Sequence, residues 1–389
     1  MIPRFDYSFS AGAVWQLLKR IQSRGRFDKP YFTTLFPQAD VFEISSARVG
    51  IKYALQAFQL NDHARIGVQP FTCSSVLAAI ASLGYTPVFI DIDRSLTIDC
   101  ADLVRKVDSL DALLVTHMFS NPADVRQLRK LVGRLPIIED CAHAFLTSYD
   151  SQPLGTFFDI AVFSFGHGKF PALGDGGVLV VNTTTYSPFL SRALSNLPSP
   201  NALKQTWFLA KKSVYSVLYS RFGYSLLYSL LKKKWSDKGL QVSRYPAKDR
   251  LPYAVVHHLF DAVRPALPAL ASQQRRNAFQ LINRNRHSFD FIYPRSDDGC
   301  IFSVVLITRH RDALYDFLIE RGIGAGKHFQ HALSWATTFG YSHGDCPSFE
   351  YLQDKLITIP CHTGLTDQDL EKINLVLRDF ALVAPPVIC

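Results

Sequence analysis

Residues 112–140 read ALLVTHMFSNPADVRQLRKLVGRLPIIED, and this stretch decides the fold class. The apolar run at 112–119 has the length of a buried strand, residues 122–135 repeat apolar positions at helical spacing, and PIIED at 136–140 is a second strand. Pro122 stands near the first turn of the helix, where its missing N–H is not needed. The order strand, helix, strand predicts a βαβ unit with two parallel strands.

The same alternation continues on both sides of this unit. We predict further strands at 66–71, 86–93, 159–165 and 176–182, and helices at 48–58, 74–84 and 103–110. This pattern predicts an α/β fold in which helices cover both faces of a mainly parallel sheet. Ligands of such sheets bind at the carboxyl ends of the strands, and the residues that follow the predicted strands are Cys73, His117, Asp140, Ser164 and Lys169.

The pattern changes after residue 182. A helix-rich aromatic segment at 203–234 is followed by one long predicted helix at 254–294, and then by alternating strands and helices up to residue 380. We therefore expect a large domain at 1–250 that carries an insert at 203–240. Residues 251–389 would form a long connecting helix and a smaller C-terminal α+β domain.

Composition excludes several classes of protein. Hydrophobic residues make up 48% and charged residues 19% of the chain, so wholesale disorder is not expected. The seven cysteines include no C-x-x-C pair, and the sequence predicts neither a metal site nor a redox motif. An odd number of cysteines and a first 22 residues without a long apolar run favour a cytoplasmic location.

The positive charge is concentrated in one segment. The net charge is +9, and no acidic residue occurs between positions 176 and 236. A nucleic-acid-binding protein more often spreads its basic residues over a face or groove, so this partner is not expected. The basic residues of the segment are Arg192, Lys204, Lys211, Lys212, Arg221, Lys232, Lys233 and Lys234.

Three motifs carry candidate chemistry. In IIEDCAH (137–143), Asp140 ends a buried strand, where a carboxylate is costly unless a cation or several donors pair with it. It suits a protonated heterocycle such as the pyridine ring of pyridoxal phosphate (PLP), or it is a helix N-cap or a structural ion pair.

In FSFGHGKF (163–170), Lys169 lies between a strand and the glycine-rich GDGG (174–177). It becomes a nucleophile if burial lowers its pKa, or it is a surface lysine in a turn.

The third motif, SSARVGI (45–51), opens a predicted helix. Free N–H groups at a helix N-terminus bind anions, and Arg48 could add a charge-assisted hydrogen bond to a phosphate. Ser164 precedes Lys169 by five residues and could also donate to a phosphate. Taken alone, two serines at a helix start are common and indicate little.

Together these segments resemble the DegT/DnrJ/EryC1/StrS sugar aminotransferases, which are fold-type-I PLP-dependent transferases. The resemblance covers roughly residues 40–185 and 250–380. It rests on SSARVGI, QPFTC, GYTPVFIDID, THMFSNPAD, IIEDCAH, SFGHGK and GDGG in this order, and on RDALYDFLIERGIGAGKHF and LITIPCHTGLTDQDLEKI in the C-terminal part.

The resemblance implies a role for each matching residue. Lys169 is expected to form a Schiff base with PLP and then to act as acid and base. Asp140 would pair with the pyridine nitrogen, and His143 would contact the ring oxygen of the cofactor. Ser164 and the backbone at Arg48 and Val49 would hold its phosphate.

Some positions depart from the family pattern. Cys73 stands where the family usually has an aromatic residue that covers the cofactor ring. Asp175 replaces the usual glutamate of E-G-G. The family often sends an asparagine from the partner subunit to the phosphate, and here KDRL (248–251) aligns Lys248 with it. His328 falls at a position near the substrate in the family.

The implied activity is transfer of an amino group, from glutamate, to a nucleotide-linked keto sugar in glycan biosynthesis, by a homodimer. Two alternatives stay open. One is a PLP-dependent sugar lyase or dehydratase, although the chain keeps Lys169 and so differs from the lysine-lacking dehydratase branch. The other is a degenerate family member that acts as a membrane-associated scaffold or regulator.

The basic segment 203–234 suggests a further partner. Its longest uncharged run, residues 222–231, is too short to cross a bilayer, which needs about 20 apolar residues. Aromatic and leucine residues punctuated by lysines are typical of helices that lie on an anionic membrane surface. We expect contact with the inner face of the cell membrane, or else a helical flap packed on the protein or its dimer partner.

Overall fold

The computed structural model of the chain describes residues 1–7, 9, 29–220, 223–226, 228, 230, 245 and 249–383. Within them, a seven-stranded sheet has the order β1-β9-β8-β5-β4-β2-β3. Its strands are β1 (Asp40–Ile44), β2 (Arg65–Val68), β3 (Thr86–Phe89), β4 (Ala112–Thr116), β5 (Ile137–Asp140), β8 (Ile160–Ser164) and β9 (Gly177–Val181). The short strands β6 (Ser148–Tyr149) and β7 (Gln152–Pro153) form a separate hairpin.

Helices occupy the connections between these strands and continue through the rest of the chain. In the first half they are α1 (Lys29–Leu35), α2 (Ala47–Ala57), α3 (Ser74–Ala81), α4 (Cys100–Lys106), α5 (Val125–Val132), α6 (Ser187–Ser195) and α7 (Ala202–Leu218). In the second half they are α8 (Ala254–Val263), α9 (Leu267–Asn285), α10 (Arg311–Glu320), α11 (Ala332–Thr338), α12 (Pro347–Gln353) and α13 (Asp367–Val383).

The sheet is mainly parallel, as the alternation of strands and helices predicts. Strands β3, β2, β4, β5 and β8 pair in parallel, whereas β9 runs antiparallel to β8, and β1 runs antiparallel to β9. A parallel return to the sheet needs a crossover connection, usually a helix, and residues 165–176 between β8 and β9 contain no helix. The chain therefore turns directly back, and the glycine-rich loop lies at the carboxyl end of β8.

Both faces of the sheet are buried. Val162 and Leu179 belong to the apolar cluster on one face, while Phe163 and Val178 belong to the cluster on the other. Because successive side chains of a strand point to opposite faces, two covered faces require strands that are apolar throughout. All five residues of β8 and of β9 are indeed buried.

The C-terminal part has a three-stranded antiparallel sheet of its own. It consists of β10 (Asp290–Phe291), β11 (Val304–Ile307) and β12 (Leu356–Ile359), paired in that order. Apolar residues of these strands share one cluster with residues of α9, α10 and α13, which is the α+β composition that we expected. The boundary between the domains at residue 250 stays a prediction.

The prediction of one long helix at 254–294 is wrong. Helices α8 and α9 are separated by a 3₁₀ turn at Arg264–Ala266, and α9 ends at Asn285. Pro265 and Pro268 explain the break, because a proline has no backbone N–H to continue a helix and is tolerated in the first turn of the next one.

Candidate active site

The loop that carries Lys169 is folded tightly against the end of β8. The N–H of Phe165 donates to the carbonyl of Gly176 at 2.9 Å, and the N–H of Gly174 donates back to the carbonyl of Phe165 at 2.8 Å. A Cβ at Gly177 would lie 2.1 Å from the carbonyl oxygen of Phe163, so this position requires glycine. Lys169 is thereby held at the carboxyl ends of the central strands.

These strand ends surround a cavity of about 170 Å³. The residues that line it come from the ends of β4, β5 and β8, the starts of α2 and α3, the loop after β8 and a C-terminal segment. They include Ser46, Ala47, Arg48, Thr72, Cys73, Thr116, Asp140, His143, Ser164, Lys169 and Phe329. The structure therefore brings the side chains of six site residues that we predicted into one cavity.

Asp140 is the buried carboxylate of this cavity. Its Oδ1 accepts the N–H of Ala142 at 3.0 Å, and its Oδ2 accepts the hydroxyl of Thr116 at 3.5 Å. Burial raises the pKa of Asp140, and the Ala142 N–H and the Lys169 ammonium oppose this rise. The carboxylate has few partners for so buried a charge, and it would be stabilised by a cationic N–H in the cavity.

Lys169 lines the same cavity and is half-buried. Burial lowers the pKa of Lys169, while Asp140 and Cys73 act in the opposite direction. Its Nζ lies 5.3 Å from the centre of the Phe302 ring. A lysine whose pKa is lowered by burial has a larger neutral fraction near pH 7, and only the neutral amine is a nucleophile.

His143 is held in one orientation by two contacts. Its ring stacks on Phe302, with ring centres 4.0 Å apart and an angle of 12° between planes, and its Nδ1 accepts the N–H of Phe119 at 3.3 Å. Burial, with Lys169 nearby, lowers the pKa of His143 well below its usual value, so the ring is neutral. Because Nδ1 accepts a hydrogen bond, the proton is assigned to Nε2, which is then a donor.

The N-terminus of α2 borders the cavity. Ser46 is its N-cap residue and makes no side-chain capping hydrogen bond, and the first intrahelical bond runs from the N–H of Gly50 to the carbonyl of Ser46 at 3.1 Å. The N–H groups of Ala47, Arg48 and Val49 therefore have no intrahelical acceptor and form a candidate anion site. Val49 can contribute to this anion site only through its backbone N–H, because its side chain is buried in the core and does not line the cavity.

The departures from the family pattern have distinct surroundings. Cys73 lines the cavity as the N-cap of α3, and its sulfur accepts the Ser75 hydroxyl at 3.1 Å. Asp175 forms a two-point ion pair with Arg250, at 2.6 and 3.1 Å, so it neutralises this arginine rather than lining the cavity. Lys248, the predicted phosphate contact, lies outside the described residues.

His328 lies next to the cavity rather than in its lining. Its ring centre is 5.6 Å from that of His143, and its Nδ1 accepts a hydrogen bond from Nη2 of Arg4 at 2.8 Å. Sequence reasoning missed both Arg4 and Phe302. Arg4 is 324 residues away from His328, and Phe302 reads as an ordinary strand residue, so the sequence carried no signal for either.

Behind Asp140, on the opposite face of β5, lies a buried polar cluster. His117, Glu139 and Cys141 place potential metal-ligand atoms within 4.8 Å of one another. Nevertheless, these atoms already have protein partners: Nδ1 of His117 accepts the N–H of Ala123 at 3.1 Å, and Glu139 accepts the N–H of Gly155. We interpret this cluster as a structural support of the strand that carries Asp140.

A lysine and a buried carboxylate that face one cavity, beside a free helix N-terminus on a mainly parallel sheet, define a fold-type-I PLP-dependent transferase. The chain belongs to the DegT/DnrJ/EryC1/StrS aminotransferase family, whose model matches residues 26–197 and 270–378. This membership confirms the resemblance that the sequence motifs indicate.

Similarity to curated proteins is strongest in part of the chain. GDP-perosamine synthase of Escherichia coli O157:H7 is 30% identical over 172 residues, which are 42% of this chain and 47% of that protein. The corresponding enzyme of Vibrio cholerae is 29% identical over 170 residues. The match thus spans about half the length of these relatives, 47% and 46% respectively.

Similarity to solved structures extends over the whole fold. The aminotransferase TlmJ of Streptoalloteichus hindustanus superposes with a TM-score of 0.77 at 19% identity, covering 99% of this chain and 100% of its own. The E. coli GDP-4-keto-6-deoxy-D-mannose-3-dehydratase with bound hydrated PLP gives a TM-score of 0.75 at 19% identity, covering 97% and 99%. At this level of identity, the similarities establish the fold.

Proposed function

We propose that this protein is a PLP-dependent aminotransferase that moves an amino group from glutamate to a nucleotide-linked keto sugar in glycan biosynthesis. The observation that carries the proposal is the convergence of Lys169 and Asp140 on one cavity beside the free N-terminus of α2. Membership of the aminotransferase family and partial similarity to GDP-perosamine synthase support the choice of reaction and substrate class.

The residues present fit PLP. Asp140 is a buried carboxylate with few donors, which suits a protonated pyridine nitrogen. The Nε2–H of His143 suits the ring oxygen, and the first turn of α2 with Ser164 suits the phosphate. Cys73 would contact the ring where the family usually places an aromatic side chain.

When bound, PLP supplies an electron sink that stabilises negative charge at the carbon next to the reacting nitrogen. Asp140 keeps the ring nitrogen protonated because a buried carboxylate favours a cationic partner. Lys169 supplies the nucleophilic amine and then, once released, holds and moves the proton at its Nζ. Phe302 keeps the ring of His143 in place and excludes water from that side.

The Lys169→Ala variant tests the proposal. Wild-type protein with added PLP should show the yellow absorption of lysine-bound cofactor and lose it when glutamate is added. Lys169→Ala should show neither, whereas Lys130→Ala, which changes an exposed lysine on α5, should behave as wild type. A Lys169→Ala protein that keeps both the absorption and turnover would overturn the assignment.

The same measurement separates the alternatives. A PLP-dependent sugar lyase or dehydratase is the second candidate, because a sugar dehydratase shares the whole fold. An absorption band that persists with every amino donor, together with loss of a keto sugar, would favour it. A protein without any band in the presence of PLP would favour a scaffold or regulator. The retained Lys169 favours the aminotransferase.

A homodimer is part of the proposal, with Lys248 of one subunit acting on the phosphate site of the other. Mixing Lys169→Ala and Lys248→Ala proteins tests it, since a mixed dimer would hold one site in which both lysines are intact. Activity should reappear on mixing two inactive proteins. If mixed dimers form without activity, Lys248 does not act across the interface, and a monomer in analytical ultracentrifugation would contradict the dimer itself.

We also propose contact with the inner surface of the cell membrane through α7. The exposed large apolar residues of this helix are spaced by four, seven and three positions, which is one or two helical turns: Leu203, Trp207, Val214 and Val217. Exposed Lys204 and Lys211 accompany them, while Phe208 and Leu209 pack inward. An apolar stripe with lysines and without acids fits an anionic lipid surface. In the described part of the chain, no helix has the length and apolarity needed to span a bilayer.

Co-sedimentation with lipid vesicles tests this contact. Wild-type protein should bind vesicles that contain phosphatidylserine and bind phosphatidylcholine vesicles weakly. Trp207→Ser should reduce binding, whereas Leu382→Ser, which changes an equally exposed apolar residue on α13, should not. Equal binding by Trp207→Ser and wild type, or binding by neither, would contradict membrane contact and favour a flap that packs on protein.

A further inference from the structure

The first residues of the chain run beside the C-terminal part and reach the active site. The N–H of Ile2 donates to the carbonyl of Gly322 at 2.7 Å, and the N–H of Gly324 donates to the carbonyl of Ile2 at 2.8 Å. Ile2 thereby forms a parallel bridge with Ile323. Two backbone hydrogen bonds on either side of Ile2 fix the path of residues 1–4 along this edge.

This path places the guanidinium of Arg4 next to the catalytic lysine. A small cavity is lined by Arg4, Lys169 and Phe302 together. The guanidinium lies directly on Gly326, where a Cβ would stand 2.1 Å from its Cζ, so a larger residue would displace it. Nη2 donates to Nδ1 of His328 at 2.8 Å. The side chain is therefore held by contacts on two sides.

Arg4 has no carboxylate partner among the described residues. Asp6, two residues along the chain, lines the same small cavity but pairs with His362 at 3.6 Å. Burial lowers the pKa of His362, but Asp6, the Pro3 carbonyl and Asp369 together outweigh it, so the pKa is raised. Asp140 acts on Lys169 instead. Arg4 is half-buried, and an arginine partly withdrawn from water without a counter-ion is costly, so an anion that binds here would recover part of that cost.

The neighbouring histidines are neutral, so they do not compete with Arg4 for such an anion. Burial lowers the pKa of His328 and of His143 well below the usual value, and the nearby Arg4 and Lys169 lower both further. Since Nδ1 of His328 accepts from Arg4, its proton is on Nε2, and the neutral ring leaves the positive charge on the arginine. Among the described residues, Arg4 donates to His328 alone from its side chain, so its other guanidinium N–H groups can form a two-point contact.

We propose that Arg4 binds the carboxylate of the amino donor and that His328 is its positioning residue. This inference rests on the proposed aminotransferase function. The α-carboxylate of an amino acid is attached to the carbon that bears the reacting amine, so it must lie close to Lys169. The phosphates of a nucleotide-linked sugar are separated from the reacting carbon by the sugar ring. A cation that shares a cavity with Lys169 therefore suits the donor rather than the nucleotide.

Binding of glutarate, a dicarboxylate that cannot react, tests the proposal by calorimetry on the PLP-loaded protein. A hydrogen-bonded contact to a charged group corresponds to about 10- to 100-fold in affinity. Arg4→Met should weaken glutarate binding by this factor, and Arg4→Lys by less. The control Arg126→Met, which removes an exposed arginine of α5, should stay within about twofold of wild type.

A kinetic measurement completes the test. In single turnovers of the PLP form, Arg4→Met should lower the second-order rate constant for glutamate by a similar factor. His328→Asn should lower the same rate constant by a smaller factor. Unchanged glutarate affinity in a folded Arg4→Met, or no glutarate binding by wild type, would overturn the proposal. Failure of the proposed function would instead be seen in wild type, as absence of the PLP band or of any response to glutamate.

Discussion

Replacement of Glu139 by glutamine tests whether the cluster behind Asp140 supports the site. In the structure, Oε1 of Glu139 accepts from Nε2 of His117 at 2.9 Å and from the N–H of Gly155 at 2.5 Å, while Oε2 accepts the N–H of Phe157 at 3.2 Å. Nδ1 of His117 accepts the N–H of Ala123, so its Nε2 carries the proton. Every neighbour of the carboxylate is thus a donor.

A glutamine of the same size cannot satisfy all of them. If its oxygen replaces Oε1, its amide NH₂ faces the N–H of Phe157, and two donors then stand opposite each other. An unpaired buried N–H costs about 1–3 kcal/mol, and two charge-assisted hydrogen bonds become neutral ones at about 1 kcal/mol each. The lower cost of burying a neutral amide offsets part of this. We expect a net loss of about 3 kcal/mol in the free energy of unfolding.

Urea unfolding, followed by circular dichroism at 25 °C, measures this loss. The control is Glu371→Gln, because Glu371 is half exposed and pairs with Arg284 on the surface. Such a pair contributes about 0–1 kcal/mol. Glu139→Gln should also weaken PLP binding, since it loosens the strand that ends at Asp140. If Glu139→Gln were no less stable than Glu371→Gln, the reasoning on the cluster would be refuted.

Three further predictions follow from single contacts. Gly177→Ala should lower the melting temperature by the equivalent of about 1–3 kcal/mol, because its Cβ would lie 2.1 Å from the Phe163 carbonyl oxygen; an unchanged melting temperature would contradict this close approach. Burial lowers the pKa of His167 from its usual 6.5 to about 4, so stability is full above pH 6.5 and is lost as the pH falls towards 4. In urea titrations at pH 7 and pH 4, His167→Asn should therefore lose less stability than wild type, by about 1 kcal/mol because solvent screens the partly exposed ring, and equal losses would refute the shift. Phe302→Leu should reduce PLP affinity about threefold to tenfold in absorbance titrations, because His143 loses a stacked ring at 4.0 Å; wild-type affinity would show that the ring does not orient His143.

The sequence predicted six of the seven strands of the large sheet and six of the residues that line the cavity. Apolar runs with helical segments between them predicted parallel strands, and parallel strands bring their carboxyl ends to one edge. This is sufficient to place Asp140, Ser164 and Lys169 together without knowledge of the strand order. The strand-end rule also gave Cys73, the helix-start motif gave Arg48 and the family resemblance added His143, and all three line the cavity.

The sequence was less informative about the direction of strands and the continuity of helices. The apolar run at 177–181 predicts a strand, but the antiparallel direction of β9 depends on the helix-free loop before it. The break between α8 and α9 was readable from Pro265 and Pro268, yet apolar spacing on both sides concealed it. Local patterns report the conformation of a segment and carry little information about its partners.

Only the tertiary structure decided what stands around Lys169. Phe302 belongs to the segment before β11, and Arg4 meets His328 across 324 positions of the chain. No local pattern specifies such contacts, because they depend on how two parts of the chain pack. The sequence thus identified the lysine, the carboxylate and the helix N-terminus, whereas packing added the stacking partner of His143 and the arginine beside them.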